Sequence, residues 1–302
     1  MQTPPFLKPG DTIAIVAPAR KIKQQEIISA ITLFKNWGLK VILGENIHAV
    51  NNQFAGDDEQ RTNDFQAMLD SENVKAIIAA RGGYGTVRII DKLDFSNFIN
   101  KPKWIVGYSD ITVLHAHIQQ NFQVQSLHAT MPINFPFDGA SDSATESLRK
   151  ALFGEAVAHT FDHQSELFRE GITEAEVVGG NLSILCSLCG TPSSINTTGK
   201  ILFLEDLDEY LYHIDRMVMN LKRNGMLNDL AGLIVGGMSD MRDNTVPFGK
   251  NATQIIMQAV EEYNYPVCFN FPAGHIKNNL ALYLGRRARL DVSKAKVSLS
   301  YL

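Results

Sequence analysis

A serine stands between an apolar run and a helical pattern in Trp104 to Asp110, which reads WIVGYSD. With Gly107 just before it, Ser109 has the setting of a nucleophile elbow. A tight turn exposes the hydroxyl, and the helix N-terminus behind it supplies backbone N–H groups and a positive dipole for an oxyanion. The motif is G-x-S-D rather than G-x-S-x-G, because Ile111 stands where the second glycine would be. It is therefore not the ordinary α/β-hydrolase elbow. Serine also caps helices, and by itself the motif leaves capping as the commoner role. A second stretch, Arg81 to Gly85 (RGGYG), follows another apolar run. Glycines there let the backbone approach a ligand closely. Neither G-x-G-x-x-G nor a P-loop is present, so a phosphate cradle, an oxyanion or carboxylate loop and a plain tight turn all fit.

A serine nucleophile needs a base, and the sequence has eight histidines. His275 has the best setting, in a Pro272-Ala273-Gly274-His275 loop at a strand end. His128, at the end of a strand-like segment, is the second choice. His115 and His117 lie two apart on a helix, point different ways and cannot share a metal. His159 and His163 fall in a linker-like segment. The base in turn needs an acid to orient it and stabilise its charged form. Leu202 to Asp206 (LFLED) ends an apolar strand in acids, and Glu205, Asp206 and Asp208 all qualify. Spacing does not choose among them. Cys186 and Cys189 form a C-x-x-C, but inside the apolar helical run Leu182 to Leu188, where core packing is the expected role. No grouping has convincing metal spacing.

The elements that would position these residues alternate. Strand patterns at Thr12 to Ala17, Lys40 to Leu43, Ala76 to Ala80 and Lys103 to Tyr108 are separated by helical patterns at Gln24 to Trp37 and Asp57 to Leu69 and from Thr86, with another at Asp110 to Asn121. This order predicts an open, Rossmann-like parallel sheet with helices on both faces. Such sheets bind ligands beyond the carboxyl ends of their strands, where the serine and the glycine loop both fall. Periodicity weakens after Pro136, and a helix is expected near Ser143 to Leu152. Later strand patterns lie at Lys200 to Leu204, Gly232 to Val235 and Pro266 to Phe271, and twice after Leu280. Helical ones lie at Asn181 to Gly190, Tyr210 to Asn224 and Ala252 to Tyr263. The predicted division is an N-terminal α/β domain over 1–137, a linker over 138–169 and a mixed, strand-centred domain over 170–302.

Composition narrows the function classes. The 302 residues suit two domains of about 150. The chain is 45% hydrophobic and 20% charged with a net charge of −4, and Lys and Arg form no run, which argues against a nucleic-acid or anionic-membrane partner. No apolar run approaches the roughly 20 residues of a membrane span. The opening MQTPPFLKPGDT lacks the basic-then-apolar order of a secretory signal, and three cysteines suit a reducing compartment. A cytoplasmic location is expected.

Taken together, the motifs resemble the murein LD-carboxypeptidase family, whose relatives include the microcin C self-immunity peptidases. The resemblance spans nearly the whole chain. It is carried by PGDTIAIVAPA, RGGYG, GYSD, GGNLS at Gly179 to Ser183, LFLED, and AGH at Ala273 to His275, in that order. It implies a parallel-sheet domain carrying the serine and a β-barrel-like domain carrying the acid and base. By motif, Ser109 is the nucleophile, Glu205 the orienting acid and His275 the general base. The oxyanion donors are the N–H groups of Gly83 and Asp110, with Arg81 and Tyr84 near the substrate. It further implies a cytoplasmic homodimer in murein recycling that uses no metal or cofactor and releases the terminal D-alanine of a murein tetrapeptide. His128-Ala129-Thr130-Met131 departs from the family's His-Gly-Pro-Met. One alternative is a self-immunity peptidase that hydrolyses a peptidyl-nucleotide antibiotic. Such members stack the base on a C-terminal tryptophan, whereas this chain has only Trp37 and Trp104. Another is a non-enzymatic protein that captures a ligand between two lobes.

Overall fold

A computed structural model describes residues 1–162 and 166–302, so His163 lies outside the described residues. The first lobe contains β1 (Thr12–Val16), α1 (Ile28–Asn36), β2 (Lys40–Leu43), α2 (Asp58–Asp70), β3 (Val74–Ala79), α3 (Ser96–Asn100), β4 (Trp104–Gly107), α4 (Thr112–Phe122) and β5 (Ser126–His128). Then come α5 (Ser143–Phe153), β6 (Ala158–Asp162), β7 (Gly171–Asn181), α6 (Leu182–Leu188), β8 (Ile201–Leu207), α7 (Leu211–Arg223), β9 (Gly232–Ser239), α8 (Ala252–Ala259), β10 (Val267–Cys268), β11 (Leu282–Leu284), β12 (Arg287–Val292) and β13 (Lys296–Tyr301).

The fold is mixed α/β, built on two sheets. The first has the order β11-β5-β4-β3-β1-β2 and is parallel except for β11. Its central strands are apolar on both faces because helices cover both, and β4 is buried throughout. α2 begins where Asp57 and Gln60 exchange side-chain-to-backbone hydrogen bonds of 2.8 and 3.0 Å, a capping box that satisfies two N–H groups at the helix start. The second sheet has the order β10-β9-β8-β7-β12-β13-β6, parallel from β10 to β7 and antiparallel from β7 to β6. It curls far enough for Arg169, just before β7, to pair with Val267 of the edge strand β10. The curl encloses one apolar core that includes Val177, Phe203, Phe271 and Leu290.

Several elements differ from the sequence expectation: α3 and β6 have no counterpart in it, and the strand expected over Pro266 to Phe271 is only β10, Val267–Cys268. The helix expected from Thr86 is instead two 3-10 turns, Thr86–Arg88 and Ile90–Lys92. Val87, Ile89 and Ile90 are poor helix formers, and the Arg88 guanidinium is drawn to Asp58 at 2.8 to 3.1 Å. β7, at 11 residues the longest strand among the described residues, carries no clear apolar signal, because Glu174 and Glu176 alternate along it and Gly179-Gly180 lie near its end. After Leu280 there are three strands rather than two, and the first, β11, crosses to the first sheet, where Leu282 pairs with His128. The expected helix near Ser143 is α5. It packs on the first lobe, where Tyr283 donates to the Ala151 carbonyl at 2.7 Å, while β6 edges the second sheet. The 138–169 segment thus gives one element to each lobe.

Candidate active site

The carboxyl ends of β3, β4 and β8 and the His275 loop converge on one cleft of about 410 Å³. At the end of β4, Ser109 adopts φ 64°, a left-handed conformation that non-glycine residues rarely hold. This turn projects the serine from the strand end at the start of the helical segment that leads into α4. The glycine loop after β3 lies against it. A Cβ on Gly82 would stand 2.8 Å from Ser109 Cβ and 3.0 Å from its Oγ, so only glycine fits there. Among the described residues, the N–H groups of Gly83 and Asp110 donate no hydrogen bond. The buried Asp110 carboxylate ties the two segments together by accepting the Thr86 N–H at 2.8 Å, and burial pushes its pKa up.

His275 faces the same cleft from the second lobe. Its Nδ1 lies 2.7 Å from Glu205 Oε2, and its own N–H donates to that oxygen at 3.1 Å. Both bonds depend on Gly274, where a Cβ would meet the Glu205 side chain at 2.7 Å. The loop is held by Gly237 N–H to the Ala273 carbonyl (2.9 Å), Ser239 Oγ to the His275 carbonyl (2.7 Å) and Gly274 N–H to Asn279 Oδ1 (2.8 Å). Burial pushes the His275 pKa down, but the Glu205 hydrogen bond and the Glu205 and Asp206 charges outweigh it, so the net shift is upward. The Tyr108 ring seats the imidazole edge to face, with centroids 4.8 Å apart.

Glu205 and Asp206 are consecutive in β8, at a register shift between Leu204 and Asp206, and point different ways. Such bulges re-aim side chains. Glu205 lies behind His275, fully buried. It is Asp206 that lines the cleft, accepting hydrogen bonds of 2.9 Å from Asn181 Nδ2 and from the N–H groups of Ser183 and Leu207. Burial and the Glu205 charge lift its pKa to about 7 against those three donors. Asp208 lies on the rim, paired with Arg242.

Of the residues singled out in the sequence, Ser109, Asp110, Gly83, Arg81 and His275 line the cleft. Tyr84 does not. It is 44% exposed and leans on Phe54, with centroids 6.0 Å apart. His128 is fully buried beneath the cleft. His115 and His117 bond separately, to the Gly107 carbonyl and Ser193 Oγ, both at 2.9 Å. Cys186 on α6 and Cys189 at its C-cap are free thiols, and among the described residues no cluster of His, Cys, Asp and Glu could hold a metal ion. Sequence reasoning missed Tyr108, Asn181 and Arg20. Tyr108 and Asn181 sit inside the GYSD and GGNLS motifs, which could have pointed to them. Arg20 follows β1, and nothing in its local sequence announces that it crosses the glycine loop to line the cleft.

Similarity to known proteins follows the same two lobes. Residues 13–129 match the LD-carboxypeptidase N-terminal domain, and residues 174–290 the LD-carboxypeptidase C-terminal domain. A probable murein peptide carboxypeptidase of Bacillus subtilis is 36% identical, over 96% of this chain and 92% of that one. The crystal structure of muramoyltetrapeptide carboxypeptidase from Oxalobacter formigenes superposes with a TM-score of 0.86 at 28% identity, over 96% of this chain and 98% of that one. The microcin C7 self-immunity protein of Escherichia coli is 23% identical, over 96% and 93%. With a match in each lobe and a relative aligned across nearly its full length, the chain belongs to the LD-carboxypeptidase family.

Proposed function

We propose that the protein is a serine LD-carboxypeptidase that releases the C-terminal D-alanine of murein tetrapeptides, with Ser109, His275 and Glu205 as its catalytic triad. The observation that carries this reading is the single cleft lined by both a serine at φ 64° and a histidine hydrogen-bonded to a buried carboxylate at 2.7 Å. Glu205 holds Nδ1–H of His275, which leaves Nε2 as the base. As Ser109 Oγ attacks the carbonyl before the terminal residue, Nε2 takes its proton. The Gly83 and Asp110 N–H groups, which donate no other hydrogen bond among the described residues, donate to the oxyanion. The C–N bond then breaks, Nε2 returns the proton to the departing D-alanine amine, and water, deprotonated by the same nitrogen, hydrolyses the acyl-enzyme.

Arg81 and Arg20 supply positive charge on the first-lobe side of the cleft for the substrate's terminal carboxylate. Tyr84 has no part in this reading, since its ring lies outside the cleft. Neither Trp37 nor Trp104 lines the cleft, so there is no indole there to stack a nucleobase, which favours murein peptide over a peptidyl-nucleotide. The proposal extends to a homodimer in the cytoplasm, as the resemblance implies; among the described residues no helix is long and apolar enough to cross a membrane. The test is incubation with murein tetrapeptide and chromatography of the products. Stoichiometric tripeptide and D-alanine are expected, whereas intact tetrapeptide alongside cleavage of an aminoacyl sulfamoyl nucleoside would assign the antibiotic-hydrolase activity instead.

A further inference from the structure

Behind the acid–base pair lies a group of buried polar atoms that the reaction above does not use. His128, fully buried, ends β5 between the two lobes, paired with Gly107 of β4 on one side and Leu282 of β11 on the other. Its ring packs on Tyr108 (5.8 Å), the residue before the nucleophile, and on Phe203 (4.9 Å), two residues before Glu205. Asn279, also buried, holds the Gly274 N–H through Oδ1, and Gly274 in turn lies directly against the Glu205 carboxylate. Among the described residues, four buried atoms of this group make no well-formed hydrogen bond: His128 Nδ1 and Nε2, Asn279 Nδ2 and Glu205 Oε1, although the Asn279 side chain lies within reach of the His128 ring. Leaving four such atoms bare is expensive, at about 1–3 kcal/mol each. Proteins commonly satisfy them with a buried water that makes two to four hydrogen bonds.

We propose that His128 is a positioning residue for the acid–base pair: with the Asn279 amide it shares a buried water that hydrogen-bonds Glu205 Oε1, the carboxylate oxygen that His275 leaves free. Resting on the triad reading above, this assigns the orientation of Glu205 to two anchors, His275 on Oε2 and the His128–Asn279 site on Oε1. Burial, followed by the charges of His115 and His275, holds the His128 pKa well below the ordinary value, with only the Asn279 side chain acting the other way, so His128 stays neutral and able to donate. The charged and titratable groups around the pair are Glu205 and Asp206 from β8, Tyr108 after β4, His128 from β5 and His115 from α4.

The test compares wild type, His128→Phe and His128→Gln by three readouts: pH profiles of kcat and KM on murein tetrapeptide, the pH dependence of labelling by a fluorophosphonate probe, and Tm. In His128→Phe the carboxylate loses a donor and holds the His275 proton more tightly. The acid limb of both profiles should move to higher pH, and kcat should fall about tenfold with KM little changed, which is about 1.4 kcal/mol. His128→Gln restores a donor and should recover most of the loss. If His128→Phe does not fold, Asn279→Ala carries the test, because it removes the Nδ2 donor without adding a charge; the same upward shift is expected. A lower Tm with kcat and both acid limbs unchanged would make His128 a packing residue only and overturn the proposal. If wild type takes the probe but leaves tetrapeptide intact, the substrate reading fails and the labelling profiles alone decide the proposal. If wild type also resists the probe, the nucleophile reading falls and the proposal falls with it.

Discussion

Around Ser109 the first lobe works with backbone, and around His275 the second works with buried charge. The serine stands at φ 64° on a turn packed against Gly82, and its prospective oxyanion donors are main-chain N–H groups. The histidine is aimed by a side-chain carboxylate with no exposure, next to a second acid whose pKa is lifted to about 7. These constructions fail in different ways. A backbone site is broken by added volume and is nearly indifferent to pH, because amides do not titrate. A charge-built site tolerates changes of volume better than changes of charge, and it carries the pH dependence of the reaction.

The largest expected effect lies on the first lobe. Ser109→Ala removes the proposed nucleophile, and kcat should fall by about 10⁵ to 10⁶, as when a triad nucleophile is lost elsewhere. Tyr108, not Ser109, holds the N-cap position of this helical turn, so Tm should stay close to wild type. Measurable turnover with normal folding would move the nucleophile elsewhere.

Next comes the acid. Glu205→Gln keeps the shape but removes the charge, and kcat should fall by about 10³ to 10⁴. The sign of the accompanying pH effect follows from His275. In wild type its pKa is raised above 6.5, and it must be neutral to act as base, so the acid limb of kcat/KM lies above 6.5. Without the Glu205 charge, burial is the larger remaining influence, and the limb should move to lower pH. The stability consequence runs the same way. A histidine whose folded pKa is raised adds stability below its unfolded pKa of about 6.5, and that stability is lost as pH rises through the folded value. The Tm deficit of Glu205→Gln should therefore be wider at pH 5.5 than at pH 8.5. An acid limb that stays in place would free His275 from dependence on Glu205.

Gly82→Ala tests the backbone side with an intermediate effect. The new methyl would press on Ser109 Cβ at 2.8 Å and on Asp110 N at 3.3 Å, and something must shift. Displacing a nucleophile by about 1 Å costs roughly 10²-fold. The pH profile should keep its wild-type midpoint, because no titrating group of the second lobe is touched. A moved acid limb in this variant would erase the distinction between the lobes.

How much of this was legible in sequence follows the same division. β2 is found over the residues where it was read, since it is a compact apolar run, and α7 within a residue at each end, since its apolar residues recur at helical spacing. The strand-end motifs GYSD, LFLED and AGH could be read as candidates because an open sheet collects its ligands at those ends. What escaped depends on contacts between distant segments. β11 is three residues long and joins a sheet whose other strands all precede residue 129, a pairing no local pattern encodes. Spacing left Glu205 and Asp206 both open, and only the resemblance favoured Glu205; the register shift beside them in β8 depends on the neighbouring strand. Arg20 reaches the cleft only because β1 and β3 lie side by side and their loops meet.

The smallest effect concerns recognition, where the two lobes differ in sign. The first lobe presents Arg20 and Arg81 to the cleft, and the second presents Asp206, Asp208 and Glu209. The second lobe's acids are partly spoken for: Asp208 pairs with Arg242 at 2.6 Å and Glu209 with His213 at 2.5 Å, while Asp206 accepts three hydrogen bonds and burial raises its pKa. Arg81 is also engaged, though weakly, by the Lys21 carbonyl at 3.3 Å. Arg20 is exposed, and its stem lies across Gly83 beside the prospective oxyanion donors. An exopeptidase must grip a free carboxylate one residue beyond the scissile carbonyl, and among the described residues the arginines that line this cleft, Arg20 and Arg81, both come from the first lobe. A charge-assisted hydrogen bond of this kind contributes about 2 kcal/mol, or roughly 30-fold in kcat/KM. C-terminal amidation of the tetrapeptide should lose that much. Arg20→Ala and Arg81→Ala, measured on the free acid, should share the loss between them, and the arginine that holds the carboxylate should show no further loss when its variant meets the amide. If the amide is cut as fast as the acid, terminal-carboxylate recognition is not part of the reaction and the enzyme is a broader peptidase. If the acid is preferred but both alanine variants keep the full preference, the carboxylate is held by backbone N–H groups, and recognition too belongs to the way the first lobe is built.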